Sequence, residues 1–74
     1  MSTVTSNALV KRINRKLAPE GELLRTTRGQ RAIQDLGHHY ILDIYTNGVL
    51  AWHCDLEELG RELGVLKAYE GVGQ

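Results

Sequence analysis

A chain of 74 residues, 42% hydrophobic and 24% charged, is one domain that buries about 60% of its unfolded surface, which argues against a deep enzymatic cleft. The lone Cys54 excludes an intramolecular disulfide and fits a reducing compartment, and no run approaches the roughly 20 apolar residues that span a bilayer. The net charge of zero hides two opposed halves: residues 1–31 carry seven basic against two acidic side chains, and residues 32–74 carry two basic against seven acidic. Such asymmetry points to an electrostatic partner or to internal pairing.

The amino terminus MSTVTSNALVKRINRK has neither the apolar core nor the small-residue cleavage site of a secretory signal. The expectation is a cytoplasmic protein with no membrane partner, folded as one domain over residues 1–74 with 1–5 and 71–74 frayed. From Ser6 to Ala18, Leu9, Val10, Ile13 and Leu17 fall on one helical stripe, with Arg12, Arg15 and Lys16 opposite. This is an amphipathic helix with a basic outer face, capped by Ser6 or Thr5 and ended by Pro19 and Gly21. Glu22 to Thr27 offers a third strand, and residues 28–37 form a connection with room for a short helical turn.

The run HHYILDIYTNGVLAWHCD sets Asn47-Gly48 between two strand-like stretches. Both central residues of a type I′ turn need positive φ, so a two-residue hairpin is expected here. That register opposes Thr46 to Val49, Ile44 to Ala51 and Leu42 to His53. One face then carries Tyr40, Leu42, Ile44, Val49, Ala51 and His53. The other carries His39, Ile41, Asp43, Tyr45, Leu50, Trp52 and Cys54. Further on, Asp55 with Glu58 resembles a capping box, Leu56, Leu59, Gly60 and Leu63 form a stripe, and Gly64 suits a left-handed stop. The fold class is therefore α+β, a small single domain ordered helix, antiparallel hairpin or three-stranded meander, helix.

Four groups could carry chemistry or contacts. His38, His39, His53 and Cys54 are the only imidazoles and thiol, but strand alternation separates them, so no metal site is expected. A thiol nucleophile built from Cys54, His39 and Asp43 lacks an oxyanion site, and an acidic turn follows it. No catalytic residue and no cofactor is expected, and the preferred reading is a non-enzymatic binding or adaptor protein. Its protein-interface candidates are Ile41, Tyr45, Leu50 and Trp52, residue types that concentrate in interface cores, serving a partner or a homodimer. The competing arrangement buries that face beneath its own helices, one on each side of the sheet. The alternative function is nucleic-acid binding by the basic first helix, with Lys11, Arg12, Arg15, Lys16, Arg25, Arg28 and Arg31 available to phosphates.

The order helix, three strands, helix resembles that of double-stranded-RNA-binding domains. Asp55, Leu56, Glu57 and Glu58 stand where that family's lysines grip phosphates, so the likeness is one of topology. LEELGRELGV (Leu56 to Val65) resembles the first helix of a helix-turn-helix, with no recognition helix following it. Over its whole length, most clearly in ALVKRINRKLAPEGELLR and DLEELGRELGVLKAYE, the chain resembles short uncharacterised proteins encoded in proteobacterial chromosomes, plasmids and phages. That resemblance implies a phage or mobile-element context, which an anti-CRISPR-like modulator of a host complex would suit, and it implies no site residues.

Overall fold

The computed structural model describes residues 2–73. Among them the elements run β1 (Ser2–Thr5), α1 (Ser6–Leu17), a 3₁₀ turn (Ala18–Glu20), β2 (Glu22–Thr26), α2 (Gln30–Leu36), β3 (His39–Asp43), β4 (Val49–Ala51), α3 (Leu56–Glu62) and β5 (Glu70–Gly73). The strands β2, β3 and β4 form an antiparallel meander in that order, while β1 and β5 pair in parallel. The fold is a single α+β domain, and no described helix is long and apolar enough to cross a membrane.

Helix α1 begins where the Thr5 hydroxyl accepts the Ala8 amide, so Thr5 rather than Ser6 is the cap. Its apolar stripe is the centre of the core: Leu9 and Ile13 have no exposed surface, and Leu17 is nearly as deep. Leu24 of β2 and Ile41 of β3 oppose one another in register and meet this stripe from the sheet. Helix α3 packs on α1 rather than on the sheet. Gly60 makes that approach possible, because a β-carbon there would lie 3.0 Å from Leu9 and 3.1 Å from Leu66. Asp55 caps α3 by accepting the Glu58 amide at 3.0 Å. The helix closes in the expected left-handed stop, with Gly64 at φ 73° and the Gly64 and Val65 amides donating to Arg61 and Gly60.

Two side chains of α1 fasten it to the strands around it. Asn14 behaves as a surrogate strand: its amide nitrogen donates to the Leu24 carbonyl at 3.1 Å, and its oxygen accepts the Leu24 amide at 2.7 Å. This closes the outer edge of β2 at a residue that is 2% exposed. On another side Arg12 meets Glu70, the first residue of β5, at 3.1 Å.

The structure corrects three expectations. Fraying is expected for 1–5 and 71–74, but the described residues among them, 2–5 and 71–73, lie in the β1–β5 pair, with Val4 opposite Val72 and Val4 buried. Both flanking helices lie on the Leu24–Ile41 side of the sheet, rather than one on each side. The hairpin is not a two-residue turn. Its loop is Ile44 to Asn47, with the Asp43 carbonyl accepting the Asn47 amide and the Asp43 amide donating to Gly48, both at 2.8 Å. The Asp43 carboxylate accepts the Tyr45 and Thr46 amides, and this Asx turn outcompetes the tighter one.

Asn47 alone of the pair takes positive φ, at 60°. Leu42 therefore opposes Val49, and a bulge lets Ile41 oppose Ala51. The extra residue, Leu50, moves Ala51 onto the core side, contrary to the expected faces.

Asn47→Val should consequently lower the unfolding free energy by about 1–2 kcal/mol, because a β-branched residue resists left-handed backbone. Gly48→Ala, which meets only the Thr46 hydroxyl at 3.2 Å, should cost clearly less in the same urea titration.

Candidate functional site

With both helices on one side, neither α1 nor α3 covers the Leu42 face of the meander, although Leu42 itself is buried, at 8% exposure. Register places Leu23, Leu42 and Val49 in one row on this face and Arg25 and Tyr40 in the next. Of the six exposed large apolar side chains among the described residues, all but Tyr69 lie on the same hairpin: Ile44, Tyr45 (82% exposed), Val49, Leu50 (51%) and Trp52 (58%). Tyr45 and Ile44 are carried by the Asx loop, Leu50 by the bulge, and Trp52 by the segment just past β4. The Tyr45 ring lies against Gly21, at the start of β2, which positions it beside the sheet rather than free in solvent. Scattered apolar residues on a surface need no explanation, but five within nine consecutive positions form a patch.

Of the four interface candidates, Tyr45, Leu50 and Trp52 belong to this patch. Ile41 does not: it faces α1 and is buried in the core. Ile44 and Val49 enter instead. Asp43 four residues before Asn47 was the available signal, because an aspartate that caps its own loop lengthens the turn and changes which side chains it presents.

The seven basic candidates do not form one surface. Lys11, Arg15 and Lys16 are exposed on α1. Arg25 stands on the Leu42 face, beyond the sheet from α1, while Arg28 and Arg31 lie in the β2–α2 connection and on α2. Arg12 is already engaged, donating to the Val65 carbonyl and to both Glu70 oxygens. Glu70 also accepts the Lys67 amide at 3.0 Å, and Arg61 donates to the Lys67 and Glu70 carbonyls. The Lys67 amide first, and then Arg12, hold the Glu70 carboxyl below its usual range against an opposing effect of burial. One ion pair thus joins the basic and acidic halves, and it tethers β5.

His38, His39 and Cys54 border one depression with Asp55 and Glu57, while His53 lies apart from it. No group of three or more metal-ligating side chains converges among the described residues. His53 takes φ 55° and donates its amide to Leu36, while the Cys54 amide donates to the His39 carbonyl. Burial raises the Cys54 thiol above its ordinary value, opposed by the Ile41 amide, so it is held as a thiol rather than as a nucleophilic thiolate. Burial, and then the neighbouring His38, lower His39, which favours neutral imidazole. No protein-family model, curated protein or solved structure matches this chain.

Because the folded Glu70 value lies below the unfolded one, its contribution to stability is present above the ordinary glutamate range of about 4.3 and is lost as pH falls through the folded value. Glu70→Gln should flatten that acid limb of the unfolding profile. In wild type, a carbon-detected NMR titration should show Glu70 protonating below the ordinary glutamate range.

Proposed function

We propose that this chain is a small non-enzymatic binding protein that docks a protein surface on its hairpin patch, with Tyr45 and Trp52 as anchors and Ile44, Val49 and Leu50 around them. The supporting observation is the exposure of Ile44, Tyr45, Val49, Leu50 and Trp52 together on one hairpin. A chain this short gains stability by burying such a face against another polypeptide. Aromatic anchors of this kind dominate binding energy when they are desolvated at the centre of an interface. The first partner to test is a second copy. The resemblance to phage and plasmid proteins extends the proposal to a cytoplasmic modulator of a host complex, of the anti-CRISPR kind.

A second reading rests on Lys11, Arg15 and Lys16, which among the described residues have no carboxylate within 4.0 Å. Three phosphate contacts would bind duplex nucleic acid weakly and without sequence preference, with a log-log salt slope of about −3.

Sedimentation equilibrium, read together with the fluorescence of Trp52, the single tryptophan, tests the docking proposal. The wild-type chain should self-associate with rising concentration, its emission shifting to the blue. Trp52→Ser and Tyr45→Ser should weaken association by about 30-fold each, as expected for residues worth about 2 kcal/mol or more. At concentrations low enough to keep every chain monomeric, their unfolding free energies should stay near that of wild type. A wild-type chain that remains monomeric, and whose photo-crosslinked host proteins are the same in both variants, would remove the patch as an interface.

A further inference from the structure

A cleft lies away from the hairpin patch, on the helix side of the sheet. It encloses about 400 Å³ between the second half of α1 and the segment after α3, lined by Arg12, Arg15, Lys16, Gly64, Val65, Lys67 and Glu70. Arg12, Arg15 and Lys16 reach it together because positions three and four apart share a helix face. Lys67 faces them from the opposite wall. Four cations thus meet one carboxylate in a protein whose overall charge is zero.

Part of this charge has an internal use. Arg12 is consumed by Glu70, and Arg15 and Lys16 occupy the last turn of α1, where cations suit the helix dipole. Each helix C-terminus is worth about half a negative charge. Counting the ends of both α1 and α3 against Arg15, Lys16 and Lys67 still leaves about two positive charges uncompensated. Among the described residues none of these three has a carboxylate within 4.0 Å. The Lys67 ammonium lies 5.7 Å from the Tyr69 ring, and its charge also acts on the Glu70 carboxyl.

We propose that this cleft is a binding site for a diphosphate group, free or carried by a nucleoside. Arg15, Lys16 and Lys67, none within 4.0 Å of a carboxylate among the described residues, line the cleft from two walls and match a compact polyanion. An arginine beside two lysines supplies one planar fork and two mobile point charges, the combination that phosphate oxygens accept. The volume lies within the range of small-molecule sites. An extended nucleic-acid backbone fits less well, because Arg25 lies beyond the sheet from this cleft and cannot share a strand with it. The site is independent of the hairpin patch, so either can fail without the other.

The test is an NMR titration of the full chain with inorganic pyrophosphate at constant ionic strength, followed by calorimetry. Amide shifts should cluster at Arg15, Lys16, Gly64, Val65 and Lys67, and a chloride control at the same ionic strength should not reproduce them. Arg15→Gln and Lys67→Gln should each weaken pyrophosphate binding by about tenfold, as for the loss of one charge-assisted contact. Arg25→Gln and Trp52→Ser should leave it unchanged. Both glutamine variants are on exposed positions, and matching amide spectra would verify their fold. Comparing pyrophosphate with ADP and AMP separates the two sources: equal affinity for the first two marks a free diphosphate, and tighter ADP marks a nucleoside carrier. Shifts spread equally over Arg25, Arg28 and Arg31, a response that chloride reproduces, or a short duplex that binds while pyrophosphate does not would each overturn the proposal.

Discussion

The seating of α1 on the sheet is the constraint on which the rest of the structure depends. Leu9, Ile13 and Leu17 give the helix one buried stripe, but a stripe of aliphatic side chains tolerates sliding and rotation. The Asn14 amide removes that freedom. Its two hydrogen bonds to the Leu24 backbone require one height and one rotation of the helix relative to β2. With α1 placed so, Leu9 meets Gly60 and α3 lies on the helix. Arg12, two residues before Asn14, then points at Glu70 and brings β5 alongside β1.

This arrangement divides the surfaces of the molecule. Everything that α1 organises lies on the Leu24–Ile41 side, so neither α1 nor α3 covers the Leu42 side of the meander, where Leu42 is buried and Val49 is exposed. The edges of the sheet differ in the same sense. Asn14 closes the β2 edge at Leu24, whereas β4 is three residues long and ends in irregular backbone around His53. A short, bulged edge is a poor template for strand addition, which favours docking on the face and its aromatic rim. The charge halves are reconciled only in part: Arg12 with Glu70 joins them, Glu57 with Arg61 pairs within the acidic half, and the remaining α1 cations line their own cleft.

Much of this was legible in the residues. The amphipathic period of α1, the Asp55 cap, the Gly64 stop and the three strands all rest on local rules, and local rules hold where a segment satisfies its own backbone. The hairpin register was not legible from the Asn47-Gly48 pair, because Asp43 supplies a competing local cap and the bulge at Leu50 inverts the facing of Ala51. Ile41 consequently reads as a surface residue when it belongs to the core. The terminal strands escaped for a different reason. Their pairing spans nearly the whole chain, and a glycine-rich EGVG segment has no strand signal until Arg12 and Val4 hold it in place. Asn14 carried no signal either, since an asparagine within a helix reads as a solvated residue until the strand edge opposite it is known. The two candidate surfaces share this character: the hairpin patch arises from where α1 does not lie, and the cleft arises from how the segment after α3 returns to it.

The central claim is that Asn14 fixes the placement of α1, and urea unfolding of Asn14→Ala beside Lys11→Ala tests it most directly. Lys11 is an exposed neighbour on the same helix, and its replacement should change stability by less than about 0.5 kcal/mol. Losing the Asn14 amide leaves the Leu24 amide and carbonyl without partners at a buried position, and should cost about 2–4 kcal/mol. Hydrogen exchange should show the loss of protection beginning at the Leu24 amide and reaching β5. An Asn14→Ala chain as stable as Lys11→Ala, with the Leu24 amide still protected, would mean that apolar packing alone sets the position of the helix, and would contradict this account.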